Sequence, residues 1–199
     1  MEIDDEAIDA IRELINIGVG RAAGLLNDMT SRKIALRVPS VRVIRYSDLS
    51  HFTEFIPAEE LSTITLGFQG PLSGLSALVF PPKSAASLVM LLTGETEQTA
   101  ELDAIRVETL KEVGNIIINA VMGSIANVLD HHLTFTLPSY QEISLSGLAR
   151  SQNNHSEEWI VLANTHFNIE QTDIEGNILL VLEVGSMDSL LTGIHRMNR

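Results

Sequence analysis

Two helical patterns in this sequence carry the same punctuation at the same spacing. The stretch DAIRELINIGVG, residues 9 to 20, sets Glu13 and Asn16 one turn apart, and ETLKEVGNIIINA, residues 108 to 120, does the same with Glu112 and Asn115. A proline follows each pair, Pro39 and Pro138, with 22 residues between asparagine and proline in both cases. All three anchors recur at one offset of 99 residues, which chance does not readily produce. The chain is therefore read as two copies of one unit, about 1–98 and 99–199, and its fold must bury the same pattern twice.

Each unit shows the same order of elements. Apolar residues Ile8, Ile11, Ile15, Ala22, Leu25 and Leu26 recur at helical spacing from Asp4 to about Met29, with Asp4, Asp5 and Glu6 suited to the positive end of a helix dipole. Residues 33–46 alternate as a half-buried strand around Pro39, which marks an edge or a break. STITLGFQG and SGLSALVF flank a Gly-Pro-Leu-Ser-Gly turn and predict a hairpin, and PPKSAASLVMLLTG predicts a short helix. The second half predicts a helix over about 100–131, a strand LTFTLPSYQEIS, a hairpin from WIVLANTHFNIE to NILLVLEV, and a short helix after Gly185. Residues 146–158 are the most loop-like, with a short polar link around 94–99.

Helix, three strands and helix leave one apolar sheet face to cover. Two such units most simply share a core, as a pseudo-twofold α/β layer structure with a sheet and two long surface helices. One domain of 199 residues made of two internal repeats is the preferred count.

Composition narrows the function classes. Twenty-six acidic against 13 basic residues give a net charge of −13, which argues against nucleic acid and against an anionic membrane surface. No cysteine is present, which excludes disulfides and thiolate chemistry and fits a reducing cytoplasm. The acidic start MEIDDEAID lacks the order of a signal peptide, so a cytoplasmic location is expected. The longest uncharged run, Val113–Leu129, contains three asparagines and a serine, and is read as a buried-face helix rather than a membrane span.

At about 100° per residue, Asp9, Glu13 and Asn16 share one helix face, as do Glu108, Glu112 and Asn115, with Asn119 a turn further on. Such a stripe is most often just the solvated side of an amphipathic helix. Mid-helix asparagine costs about half a kcal/mol against alanine, so two at matched positions call for a reason, although duplication alone would copy a neutral residue.

The spacing Asp/Ser-x3-Glu-x2-Asn-x22-Pro resembles the signature of the CheC, CheX and FliY phosphatases, which act on chemotaxis response regulators of the CheY type. Asp9, Glu13, Asn16 and Pro39 meet it fully; Glu112, Asn115 and Pro138 meet it again, with Glu108 where the family usually has Asp or Ser. The first copy departs in lacking Gly before its asparagine and in carrying Arg21 where members often show Asn. Two motif copies over nearly the whole length are similar to the CheC pattern.

The resemblance implies a phosphatase of the receiver's aspartyl-phosphate. In it Asn16 and Asn115 orient the attacking water, and Glu13 and Glu112 pair with a receiver lysine. The receiver supplies the phosphoaspartate and the divalent cation, so Mg is expected on the partner and no cofactor on this chain. A carboxamide suits the task, because it accepts one hydrogen bond and donates another without adding charge beside the phosphoryl oxygens. Asp9 and Glu108 would at most help docking, and Pro39 and Pro138 would fix strand geometry. The deamidase CheD is a second implied partner. The rival reading is a non-catalytic adaptor that binds a receiver or CheD; a flagellar-switch component like FliY is a weaker third.

Other chemistry has little support. The adjacent His131 and His132 point in different directions on a helix and make a poor metal pair, with His155 and His166 elsewhere. No nucleophile-elbow pattern is present. GVGRAAG does not follow a strand, so Gly18, Gly20 and Gly24 are assigned to close helix packing rather than to a dinucleotide loop.

Overall fold

The computed structural model describes residues 3–48, 60–95, 102–130, 132–144, 147–148, 159–169 and 172–197. Its two long helices, α1 (Asp5–Thr30) and α3 (Ala104–Leu129), each have 26 residues and begin and end at positions offset by 99. Their ends match as well. The carboxylate of Asp4 accepts the Ala7 N–H at 2.8 Å and that of Asp103 accepts the Arg106 N–H at 2.9 Å, each satisfying an otherwise unpaired donor of the first turn. Ser31 and Asp130 close the helices in the left-handed conformation, both at φ 54°.

Seven strands form one antiparallel sheet: β1 (Ile34–Arg45), β2 (Leu61–Gln69), β3 (Gly74–Phe80), β4 (Thr134–Phe135), β5 (Ser139–Ile143), β6 (Trp159–Ile169) and β7 (Thr172–Leu182). The order runs β1-β6-β7-β3-β2, and β4 and β5 both pair with β2. Exchanging the halves leaves this order unchanged. Each half's first strand lies against the other half's hairpin, β1 on β6 and β4 with β5 on β2.

The strand expected over LTFTLPSYQEIS is broken. Thr136, Leu137 and Pro138 separate β4 from β5, and Thr136 turns to Gly67, giving its N–H to the Gly67 carbonyl at 3.0 Å and accepting the Gly67 N–H at 2.9 Å. Pro39 is handled differently. β1 stays continuous and bulges, its register shifting between Arg37, opposite His166, and Ser40, opposite Asn164.

α1 and α3 cover one sheet face with α2 (Pro82–Thr93) and α4 (Ser186–Met197), burying Ile11, Ile15 and Val19 of α1 and Leu110, Ile117 and Val121 of α3 in the main core. By length and composition α3 could cross a membrane, but half of that apolar window is buried inside the fold. A smaller cluster including Tyr46, Val79, Leu148 and Leu162 packs on the opposite sheet face. The loop-like 146–158 lies outside the described residues except for Gly147 and Leu148, and the polar link 94–99 is described only at Gly94 and Glu95. There the buried Arg106 guanidinium grips Glu95 Oε2 through Nε at 2.9 Å and Nη2 at 2.7 Å, tying the link to α3.

Candidate functional site

The carboxylates of the two helical stripes divide by partner. Asp9 pairs with Arg12 at 3.0 Å and Glu108 pairs with Lys111 at 2.8 Å, so the outer acid of each stripe is engaged within its own helix. Glu13 and Glu112 are exposed, and neither makes an ion pair or hydrogen bond among the described residues. Each motif thus presents one open carboxylate beside a neutralised pair.

The asparagines part company. Asn16 is half-buried, and both ends of its carboxamide are taken: Oδ1 accepts the Val38 N–H at 2.9 Å, and Nδ2 donates to the Val38 carbonyl at 3.0 Å and to the Arg12 carbonyl at 3.1 Å. Val38 sits at the bulge of β1, out of register with β6, and immediately precedes Pro39. β1 is an edge strand, so Asn16 supplies there the donor and acceptor that a further strand would supply. This gives the interval between asparagine and proline a structural meaning: it brings the pre-proline backbone to the helix.

In the second copy that link is absent. Asn115 Oδ1 accepts from Asn119 Nδ2 at 2.7 Å, and the same Nδ2 donates to the Asn115 carbonyl at 2.8 Å. Among the described residues no hydrogen bond involves Asn115 Nδ2, and none joins Asn115 to Leu137, which precedes Pro138 and is 89% exposed. The Asn115 carboxamide therefore keeps a free donor edge and a second lone pair on Oδ1, the two groups needed to hold a water molecule.

The glycines also separate. A Cβ on Gly18 would lie 2.4 Å from Val121 Cα, so α1 and α3 meet there with no room for a side chain. The packing assignment is corrected for Gly20 and Gly24: a Cβ on either would meet nothing within 4 Å, and Gly123, the counterpart of Gly24, is equally open. Away from both motifs, burial and then the neighbouring Glu142 carboxylate raise the Tyr140 phenol above its ordinary range. It donates to Glu142 Oε1 at 2.9 Å and braces the edge strand. Among the described residues no group of three or more His, Asp or Glu could hold a metal ion; His166 bonds Asp173 at 3.0 Å, while His131 and His155 lie outside those residues.

No family model matches the chain. Over 147 residues, 72% of this chain and 68% of the relative, it is 29% identical to the CheY-P phosphatase CheC of Bacillus subtilis (strain 168). It is 26% identical over 187 residues, 91% of this chain, to the flagellar motor switch phosphatase FliY of the same organism, spanning 48% of that longer protein. The chain is thus similar to proteins of the CheC/CheX/FliY family. Thermotoga maritima FliY has the same fold, with a TM-score of 0.78 at 22% identity over 98% of this chain and 99% of that one. So do the FliM middle domain of H. pylori, with a TM-score of 0.69 at 13% identity over 96% and 99%, and CheX of Desulfovibrio desulfuricans, with 0.53 at 15% over 86% and 99%.

Within the CheC/CheX/FliY signature, the four motif side chains occupy the two helices on which their spacing put them. Sequence reasoning placed Asn119 on the motif face without a role, and missed Val38 altogether. The signal for Val38 was present in the proline, since a residue held beside a proline is extended and offers its backbone groups sideways.

Proposed function

We propose that this chain is a protein phosphatase hydrolysing the aspartyl-phosphate of a CheY-type receiver in chemotaxis or related two-component signalling, working chiefly through Glu112 and Asn115. The observation that carries this reading is the second motif's pairing of an open carboxylate with a carboxamide whose donor edge is unused. Relatives named as CheY-P phosphatase and flagellar motor switch phosphatase support the substrate class.

The chemistry asked of this chain is small. Water attacks phosphorus, the bond from phosphorus to the aspartyl oxygen breaks, and the products are the aspartate carboxylate and inorganic phosphate. Most of the catalytic work is positioning and charge neutralisation, which a receiver with its own Mg and lysine largely supplies. Asn115 holds the water through its carboxamide while Glu112 pairs with the receiver lysine and sets the docking register. A cytoplasmic location follows from a receiver substrate.

The first motif enters at a disadvantage. Asn16 must release both Val38 groups before it can hold water, and two hydrogen bonds at a net 0.5–1.5 kcal/mol each oppose that by about 1–3 kcal/mol. A competent state so disfavoured is populated at roughly one part in five to one in a hundred and fifty. Asn16's engagement favours a second use of the Glu13 face: docking a receiver or CheD without hydrolysis.

The decisive experiment follows the decay of phosphorylated receiver with wild type, Asn16→Ala, Asn115→Ala and the double variant, beside a binding titration. We expect Asn115→Ala to lose most of the acceleration and Asn16→Ala little. A double variant as fast as wild type would sink the mechanism, and binding without any wild-type acceleration would establish the adaptor instead.

A further inference from the structure

Asn119 has no counterpart in the first half: the matching position on α1 is Gly20. Its carboxamide nitrogen is 2.8 Å from the Asn115 carbonyl and 2.7 Å from Asn115 Oδ1. The first contact is an ordinary bond back to the preceding turn, available to any mid-helix asparagine. The second fixes the neighbour. By occupying one lone pair of Oδ1, Asn119 decides which way the Asn115 carboxamide faces, so that the donor edge points away from Asn119.

A mid-helix asparagine is a poor helix former, and this one lies on the same face as Glu112 and Asn115. In the first half the Val38 backbone orients the motif asparagine and consumes both ends of it. In the second half a side chain orients it and consumes one acceptor site. We infer that Asn119 is the positioning residue of the second site, holding the Asn115 carboxamide in the orientation that receives water. The inference rests on the phosphatase reading and adds a residue that the Glu-x-x-Asn signature does not contain. Asn119 does not touch the phosphoryl group; it acts through Asn115.

The test is a double-variant cycle with phosphorylated CheY-type receiver. Asn119→Ala should lower kcat on the order of tenfold with KM unchanged, because orientation is lost and docking is not. Asn119→Asp, which has no N–H to give Oδ1 and accepts from Asn115 Nδ2 instead, should turn the carboxamide over and lose at least as much. Asn115→Ala and the Asn115→Ala/Asn119→Ala pair should be equally slow, since a residue that acts through another adds nothing once its target is gone.

Losses that multiply in the pair, or Asn119→Ala at the wild-type rate, would overturn the inference. Should the smaller alanine at 119 disturb the surrounding packing, Asn119→Asp, which keeps the side-chain size, decides by the same comparison within the pair. A wild-type protein that does not accelerate receiver dephosphorylation counts against the phosphatase reading. Asn115 side-chain amide resonances unmoved by Asn119→Ala count against Asn119 alone.

Discussion

Asn16 and Asn115 are the same residue in the same motif, and their surroundings give them different hydrogen-bond partners. Asn16 closes the free edge of β1 at Val38, so replacing it strands a backbone donor and acceptor. Asn16→Ala should therefore lower unfolding stability by about 1–3 kcal/mol, read as a shifted urea midpoint with an unchanged slope, while costing little activity. Asn115→Ala should show the opposite pattern, with activity lost and the midpoint moved by less than about 0.5 kcal/mol. A motif asparagine is thus diagnosed by the balance of its effects on stability and on rate. Glu112→Gln should keep the helix intact and weaken receiver engagement, raising KM in the same assay, since the exposed carboxylate has no structural partner to lose among the described residues.

At the scale of elements, the glycines of α1 report two different constraints. Gly18 sets how closely α1 approaches α3, with Val121 Cα and the Ala120 carbonyl inside the space a side chain would need. Gly18→Ala should cost about 1–3 kcal/mol as the helices are forced apart. Gly24 faces open space, and Gly24→Ala should stabilise the protein by about 0.5–1 kcal/mol through helix propensity alone. Thermal unfolding of the two variants should move in opposite directions. The two prolines give a similar contrast. The bulge at Pro39 keeps β1 whole and places Val38 against α1, whereas the break at Pro138 leaves Leu137 exposed and Asn115 unlatched.

For the whole molecule, the exchanged pairing of strands makes the halves interdependent. Among the described residues β1 pairs with β6 alone, β3 lies between β2 and β7, and β4 and β5 pair with β2. Neither half holds a complete sheet without the other. A fragment of residues 1–98 should show no cooperative unfolding transition by calorimetry, and mixing it with 99–199 should restore one. A sharp transition in the isolated fragment would mean that each repeat closes its own core.

Much of this was legible because the patterns are local. Helical periodicity, acidic caps and turn residues depend on near neighbours in the chain, and they located both long helices, both hairpins and the Glu and Asn of each motif. The recurring spacing led to the expectation that the second helix matches the first, and α1 and α3 do begin and end 99 residues apart. The different hydrogen bonding of the two motif asparagines depends on contacts remote in sequence. Whether a carboxamide meets Val38 across 22 positions or a neighbour four residues away is set by how each edge strand accommodates its proline. That is decided by the partner strands, β6 for the bulged β1 and β2 for the broken pair β4 and β5. The sequence by itself determined two copies of a carboxylate and carboxamide face. Only the tertiary structure decided that one carboxamide is bonded at both ends to the fold while the other keeps an unused donor edge among the described residues, because hydrogen-bond capacity is settled by what lies within about 3 Å and not by residue type.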